Sequence, residues 1–266
     1  MSLYPKNHLA SPVAGHSRYV SRCVIPLSLS QDPSLSLVLL PHAGGGAGVY
    51  REWKGFPSNI ELYAVQLPGR ESRFTERPFR RMEPLVEELT LALEPMCRRP
   101  LALFGHSMGA AVAFDLACSL RERLACDPLY VFVSGYPAPR TVVRRVPPTY
   151  ALSDADFVDE LRRLGTSAEV LSMPDVLQTM LPTVRADFEV IETWVPLRRR
   201  PLECALVALR GCDDPSVEDE ALEAWRYETT GPFEMVRLPG DHFYHLRNQS
   251  LSRLLTGYLE AALARA

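Results

Sequence analysis

Residues 101–114 read LALFGHSMGAAVAF, and this stretch decides the fold. A short apolar run enters the pentapeptide GHSMG at 105–109, and a segment rich in Ala and Leu leaves it. The pentapeptide fits G-x-S-x-G, a sharp strand-to-helix turn that lifts the serine hydroxyl above a sheet. Small residues at 105 and 109 let the backbone turn there without a clash. We therefore predict a strand over 101–104, a helix over 110–124, and Ser107 as a nucleophile.

Short apolar runs alternate with helical patterns on both sides of this turn. The pattern predicts strands at 22–27, 35–40, 61–67, 129–133, 204–209 and 234–238, and further helices at 82–97 and 251–264. Such alternation is typical of a mostly parallel central sheet with helices on both faces, as in the α/β-hydrolase fold. The chain has 266 residues and is 47% apolar, which suits one core. We expect a polar tail at 1–17 and a single domain at 18–266.

The segment 152–194 breaks the alternation because it contains only helical patterns. Ser153 is a predicted helix cap and Gly165 a predicted stop. An insertion this long predicts a helical lid at about 150–195 over the active site, with ordinary crossover packing as the alternative. Four lid residues, with Met108, could line an apolar acyl site or form the core of the lid itself: Phe157, Leu161, Met180 and Leu181.

A serine nucleophile needs a base, and six histidines are available. His8 and His16 lie in the polar tail, and His106 lies inside the turn, where its ring should point away from Ser107. His42 could line the site or pack. His242 lies in a loop directly after the last predicted strand, which suits a base, whereas His245 is nearer the last helix and is expected to pack or face solvent.

An acid that orients this base should lie between the serine and the histidine in chain order. Asp213 and Asp214 directly follow the strand at 204–209 and are both candidates. The glycine-rich segment PHAGGG at 41–46 follows the strand at 35–40. It has neither a Lys-Ser/Thr pair nor the G-x-G-x-x-G spacing, so phosphate and dinucleotide sites are excluded. Its place suits an oxyanion hole, with N–H groups of Met108 and Ala43 as donors.

Several classes of protein are excluded by composition. The formal net charge is −3, which argues against a nucleic-acid-binding protein. The six cysteines include no C-x-x-C pair and no zinc spacing, so we expect reduced thiols and neither a metal nor a cofactor. The first 17 residues have no apolar core and the longest apolar run cannot span a bilayer. We expect a cytoplasmic, monomeric protein that is not bound to a membrane.

The sequence resembles the type II thioesterases of polyketide and nonribosomal peptide synthesis over nearly its whole length after the tail. The resemblance rests on LPHAGG at 40–45, QLPGRESR at 66–73, FGHSMGA at 104–110, SG at 134–135, AP at 138–139, LP at 181–182, RAD at 185–187, DP at 214–215 and GDHF at 240–243. The resemblance implies that Asp214 and His242 complete the triad with Ser107, and that Ala43 donates to the oxyanion.

The resemblance also implies hydrolysis of acyl groups from the phosphopantetheine arm of an acyl carrier or peptidyl carrier protein, without a cofactor. Such enzymes clear stalled or wrongly primed chains from a synthase. Carrier proteins are usually acidic, so candidate docking charges are Arg144, Arg145 and the three arginines 198–200. Two departures stand out: Gly46 and Gly48 should loosen the glycine loop, and Asp241 should stiffen or tilt the loop of His242.

Other functions on the same scaffold are open at this point. A small-molecule carboxylesterase or lipase would use the same three residues on oxygen esters. A hydrolase-fold binding protein would have no catalysis at all, although such proteins commonly lose members of the triad. A thioesterase domain cut from a synthase is a further alternative, and a start at Met1 without a carrier-like segment favours a free-standing protein.

Overall fold

The computed structural model describes residues 21–196, 200–247 and 249–265. Seven strands form one sheet in the order β1-β3-β2-β4-β5-β6-β7. The strands are β1 (Val24–Ser28), β2 (Leu35–Leu40), β3 (Ile60–Val65), β4 (Leu101–His106), β5 (Tyr130–Ser134), β6 (Ala205–Gly211) and β7 (Phe233–Leu238). Only β1 pairs antiparallel in this sheet, and the described strands otherwise run parallel. The predicted mostly parallel sheet is confirmed.

The helices cover both faces of the sheet, as predicted. They are α1 (Met82–Leu93), α2 (Met108–Leu124), α3 (Asp154–Arg163), α4 (Ala168–Leu171), α5 (Pro174–Thr193), α6 (Asp219–Glu223), α7 (Tyr244–Arg247) and α8 (Gln249–Leu263). Successive strand residues enter opposite layers because side chains alternate along a strand. In β6, Leu206 and Ala208 pack beneath α1 and α2, whereas Val207 and Leu209 pack towards α8.

Several predicted boundaries shift for local reasons. The helix predicted over 82–97 ends as α-helix at Leu93 and continues as a 3-10 turn, Glu94–Arg98, that contains Pro95. Helix α2 begins at Met108 rather than at 110, because Ser107 itself is the residue before its first turn. Strand β4 runs on to His106, and its Gly105 still pairs with Leu40 and Val133.

The segment between β5 and β6 contains three helices, α3 to α5, which we call the helical insertion. Ser153 caps α3, since its Oγ accepts the Asp156 N–H, and Gly165 follows α3 with φ of +91°. The insertion has an apolar cluster of its own, centred on Phe157, Leu161, Leu171 and Val184.

Two further expectations concern composition. All six cysteines are free thiols, and Cys212 is exposed while Cys23, Cys118 and Cys126 are buried. In the described part of the chain no helix has the length and apolar character needed to cross a bilayer. The predicted polar tail at 1–17, with His8 and His16, lies outside the described residues.

Candidate active site

Ser107 sits in a strained turn at the carboxyl edge of the sheet. Its φ of 54° and ψ of −119° are a combination that non-glycine residues rarely adopt. The turn is held because the Ser107 N–H donates to the Ser134 carbonyl on the neighbouring strand at 2.7 Å. Strain of this kind at a polar residue marks a functional position, because the surrounding fold must impose it.

The two glycines of the pentapeptide are required by close backbone contacts. A Cβ at position 105 would lie 1.9 Å from the Gly109 carbonyl oxygen. A Cβ at position 109 would lie 2.2 Å from the carbonyl oxygen of Leu40, at the end of β2. The absence of side chains therefore brings the first turn of α2 against the end of β2, where the glycine-rich loop begins.

Asp214 and His242 lie in contact, because they follow neighbouring parallel strands. The loops after β6 and β7 continue the strand pairing: Cys212 N–H donates to Leu238 and Asp213 N–H donates to Gly240. His242 Nδ1 lies 2.8 Å from Asp214 Oδ2, and both side chains are buried. Asp213 is exposed.

The charge on Asp214 is supported by its neighbours. Burial opposes the charge, but hydrogen bonds from His242 and from Ser216 outweigh burial and lower the pKa of the carboxyl group. A carboxylate at Nδ1 selects the tautomer in which Nε2 carries the free lone pair. This imidazole can therefore accept a proton through Nε2.

Ser216 was not singled out from the sequence, and it touches both partners. Its Oγ donates to Asp214 Oδ1 at 2.5 Å and lies 3.0 Å from His242 Nδ1, while its N–H donates to the same Oδ1 at 2.9 Å. The signal was present, because aspartates in turns commonly accept the N–H two residues on.

The glycine-rich loop lies on the other side of Ser107. Ala43, Ser107 and His242 line one cavity, so one proposed oxyanion donor and the nucleophile share a site. Met108 is the first residue of α2, where N–H groups have no intrahelical acceptor. Among the described residues, the N–H groups of Ala43 and Met108 donate no hydrogen bond to protein.

The expectation that Gly46 and Gly48 loosen this loop is wrong. Both glycines make room for the carboxylate of Glu71, whose Oε1 would lie 2.5 Å and 2.8 Å from an added Cβ. Gly48 N–H donates to that oxygen at 3.0 Å, and Ala47 N–H donates to Gln66 Oε1 at 2.9 Å. Because Gly46 and Gly48 have no side chains, the loop can lie close to Glu71 and is held by these hydrogen bonds.

The remaining described histidines lie near His242, with His106 and His245 buried and His42 half-buried. The rings of His106 and His245 lie 3.8 Å apart, and His106 lies 4.9 Å from His242. His106 Nδ1 is bonded to Ser134 Oγ at 2.8 Å, and His106 is not among the residues that line the cavity at Ser107. Burial lowers the pKa of His42 to about 4 and lowers the pKa values of His106 and His245 well below their usual range. These imidazoles are neutral at physiological pH.

The four residues predicted to line an acyl site lie elsewhere. Phe157 and Leu161 belong to the apolar cluster of the insertion, and Met180 and Leu181 pack against it. None of them lines the cavity of about 690 Å³ at Ser107, whose apolar wall includes Tyr136, Val142, Leu164, Phe188 and Ile191. The helical period predicted that these apolar residues point inward, but it did not predict whether they face the cavity or the neighbouring helices of the insertion. They form the core of the insertion.

The candidate docking arginines separate into two groups. Arg144 and Arg145 line the mouth of the cavity, where Arg145 is paired with Glu160 at 3.0 Å. Arg200 is far from it, because its carbonyl accepts a bond from Arg121 near the carboxyl end of α2, and α2 starts at the site and spans about 25 Å. Residues 198 and 199 lie outside the described residues. Arg200 therefore lies away from the cavity, and its role in docking stays a prediction.

A strained serine at a strand-to-helix turn, with a buried histidine–aspartate pair beside it, defines a serine hydrolase of the α/β-hydrolase fold. The thioesterase domain family matches residues 36–259, and the chain belongs to this family. The activity expected from the sequence, that of a serine hydrolase acting on thioesters, is confirmed at the level of the family.

Individual relatives cover most of the chain. Gramicidin S biosynthesis protein GrsT of Aneurinibacillus migulanus is 37% identical over 227 residues, which are 85% of this chain and 88% of that protein. The structure of the type II thioesterase BorB from the borrelidin biosynthetic cluster aligns with a TM-score of 0.82 and 32% identity, covering 91% of this chain and 99% of that one.

One relative has a name that indicates a different activity. Linear gramicidin dehydrogenase LgrE of Brevibacillus parabrevis is 38% identical over 254 residues, which are 91% of this chain and 94% of that protein. A dinucleotide fold would need G-x-G-x-x-G after a strand, but the segment after β2 has valine at position 49, where the third glycine would stand. The geometry here is that of a hydrolase.

Proposed function

We propose that the protein hydrolyses acyl thioesters on the phosphopantetheine arm of carrier proteins and so edits the output of a polyketide or nonribosomal peptide synthase. The observation that carries the proposal is the buried contact between His242 and Asp214 beside the strained Ser107, in one cavity. The type II thioesterase named among the relatives, and the biosynthetic clusters to which the relatives belong, support the choice of substrate.

The proposed reaction has two halves. His242 Nε2 takes the proton of Ser107, and Ser107 Oγ attacks the thioester carbonyl. The N–H groups of Met108 and Ala43 stabilise the oxyanion. The carbon–sulfur bond breaks, His242 returns the proton to the departing thiolate, and an ester on Ser107 remains. In the second half, water gives a proton to His242 and attacks this ester, and Ser107 leaves with the proton.

The cavity suits an acyl chain better than a small polar substrate. Its volume of about 690 Å³ falls in the usual range for small-molecule sites, and much of its wall is apolar. Part of this wall comes from α5, so we propose that the helical insertion serves as the lid of the site. In this arrangement Phe188 and Ile191 face the acyl chain, whereas Phe157 and Leu161 support the lid from inside.

The mouth of the cavity is the proposed docking place for the carrier protein. The segment from Val142 to Val146 lines it. Val143 is 90% exposed and Val146 is 92% exposed, and Arg144 lies between them. Large apolar side chains so exposed beside a cation suit a partner that presents an acidic, partly apolar surface.

Intact-mass analysis of a carrier protein loaded with several acyl groups tests the activity. The wild-type protein should return the carrier to its free-thiol mass, and Ser107→Ala should be slower by several orders of magnitude. The same protein should release acids from simple oxygen esters far more slowly than from thioesters. Faster turnover of oxygen esters would favour the carboxylesterase alternative, and an equally active Ser107→Ala variant would refute the mechanism.

Charge reversal at the mouth tests docking. Arg144→Glu should raise KM about fivefold for the acyl-carrier protein, with a dependence on ionic strength, because charges at an interface rim act mainly on encounter. KM for the small substrate acyl-pantetheine should not change. The matched control is Arg98→Glu, an exposed arginine just before β4 at the opposite edge of the sheet. Equal KM values for Arg144→Glu and wild type with the carrier would contradict docking there.

A cytoplasmic location and a monomeric state are further predictions of this proposal. Size-exclusion chromatography with light scattering tests the second.

A further inference from the structure

A buried ion pair joins the helical insertion to the segment after β3. Arg70 and Asp187 are 117 residues apart and form two parallel hydrogen bonds, Nη1 to Oδ2 at 2.7 Å and Nη2 to Oδ1 at 2.8 Å. Arg70 is 6% exposed and Asp187 is 1% exposed. Asp187 belongs to α5, so the pair links this helix directly to the segment that follows β3.

The same two side chains hold the glycine-rich loop. Asp187 Oδ2 accepts the Gly44 N–H at 2.7 Å, and Arg70 Nη1 donates to the Gly45 carbonyl at 3.2 Å. Gly44 has φ of +80°, and a Cβ there would lie 2.8 Å from Val184 Cγ2 on α5. Helix α5 therefore touches the loop at the residue next to Ala43.

Stability alone does not account for this arrangement. Burying an ion pair costs desolvation free energy, and an apolar pair of similar volume is often as stable or more stable. The carboxylate of Asp187 is instead shared between Arg70 and one backbone N–H. That N–H belongs to the peptide group joining Ala43 to Gly44, so its direction limits the direction of the preceding N–H of Ala43.

We propose that Arg70 and Asp187 are positioning residues for the oxyanion hole, and that the hole is complete only while α5 is seated on the glycine-rich loop. The proposal rests on the function proposed above, since it assumes that Ala43 N–H meets a developing oxyanion. It assigns the helical insertion a part in the chemical step, in addition to covering the substrate.

The decisive variant replaces the ion pair by an apolar pair, Arg70→Met with Asp187→Leu. It should fold, keep its KM for a short acyl-pantetheine within about twofold, and lose about a hundredfold in kcat, the usual effect of losing one oxyanion donor. The matched control is Glu189→Gln on the same helix, which removes the ion pairs with Arg80 and Arg81 and touches neither Arg70 nor the glycine-rich loop. This control should lower the thermal midpoint and leave kcat unchanged.

A second readout separates positioning from general damage. An alkyl boronic acid forms a tetrahedral adduct on an active serine, and its affinity should fall with kcat in the double variant. A non-hydrolysable thioether analogue of the substrate should bind as in wild type. If both affinities fell together, the pair would shape the substrate site, and the proposal would be wrong. Wild-type kcat in the folded double variant would also overturn it.

If the double variant does not fold, Arg70→Lys supplies the same test. An ammonium group keeps the charge but cannot make the parallel contacts to Asp187 and also reach Gly45. We expect kcat to fall at least tenfold with KM unchanged, and wild-type kcat would again overturn the proposal. A wild-type protein that does not turn over thioesters would refute the proposed function instead, so the two failures are distinguishable.

Discussion

The two sides of Ser107 are built in different ways. On the acid–base side, Asp214 and His242 follow neighbouring strands, are 28 residues apart, and are aligned by hydrogen bonds that extend the pairing of β6 and β7. On the oxyanion side, the glycine-rich loop is held by Asp187, which is 143 residues from Gly44 and comes from a helix outside the sheet. In the proposed mechanism the sheet therefore arranges proton transfer, whereas the helical insertion arranges charge stabilisation.

This difference predicts two kinds of functional damage. Changes on the acid–base side should impair formation of the nucleophile without disturbing the insertion. Changes in α5 should impair stabilisation of the oxyanion while the histidine stays in place.

The largest expected effect is on the acid–base side, in Asp214→Asn. An amide can hold the imidazole in the wrong tautomer, so kcat should fall by about ten-thousandfold with the fold intact. Thiol release from acyl-pantetheine measures the loss. Asp213→Asn is the matched control, because Asp213 is adjacent and exposed, and it should stay near wild type. A larger loss of kcat in Asp213→Asn than in Asp214→Asn would show that Asp213, and not Asp214, orients the histidine.

Acid should weaken the contact between the two sides. His42 comes from the oxyanion side and His245 from the acid–base side, and their rings lie 5.6 Å apart. Burial lowers the pKa of His42 to about 4 and lowers that of His245 well below 6.5. The unfolded chain binds these protons from about pH 6.5 downwards and the folded chain does not. The free energy of unfolding is therefore not reduced by these histidines above pH 6.5, and it falls as the pH drops from 6.5 towards 4, because only the unfolded chain takes up the protons.

Each such imidazole should contribute a slope of about 1.4 kcal/mol per pH unit to the free energy of unfolding in that window. Denaturant titrations between pH 7 and pH 4 measure the slope. His245→Phe should reduce it by one such contribution, because both ring nitrogens of His245 are buried without a hydrogen-bond partner among the described residues. An unchanged slope would show that His245 is already protonated in the folded protein.

A smaller effect is expected where the two sides meet, in Gly109→Ala. The added Cβ would press on the carbonyl oxygens of Leu40 and Pro41, which lead into the glycine-rich loop. We expect a loss of about 3 kcal/mol in the free energy of unfolding, the upper range for overpacking. The matched control is Gly257→Ala in α8, where a Cβ meets nothing within 4 Å, and it should stabilise the protein slightly. Equal midpoints for the two variants would contradict the account of the turn.

The sequence predicted the acid–base side well and the oxyanion side only in part. Strand β2 has the predicted bounds 35–40, because an apolar run ends at Pro41, and G-x-S-x-G places Ser107 by local backbone sterics. An aspartate after β6 and His242 after β7 could be inferred because loops after parallel strands meet at one edge, whereas the choice of Asp214 over Asp213 came from the resemblance. The contact of Arg70 with Asp187 has no local signal, since it spans 117 residues, although the segments PGR and RAD were both conspicuous.

The helical insertion shows the same limit. Its periodicity predicted that Phe157 and Leu161 point inward, but a helical period does not say which surface a buried face meets. The structure shows that they meet their own helices, while Phe188, one turn of α5 beyond Val184, faces the cavity. That Arg200 lies far from the cavity could not be predicted for a related reason, because local charge does not tell at which edge of the sheet a residue lies.

The most direct test of the central claim is peptide mapping of the acyl-enzyme. The protein is mixed with a short acyl-pantetheine, quenched in acid within one turnover, digested and analysed by mass spectrometry. The acyl mass should appear on the peptide that contains Ser107, and Ser107→Ala should give no acylated peptide. An acyl group on any other residue, or hydrolysis by Ser107→Ala at the wild-type rate, would contradict the central claim.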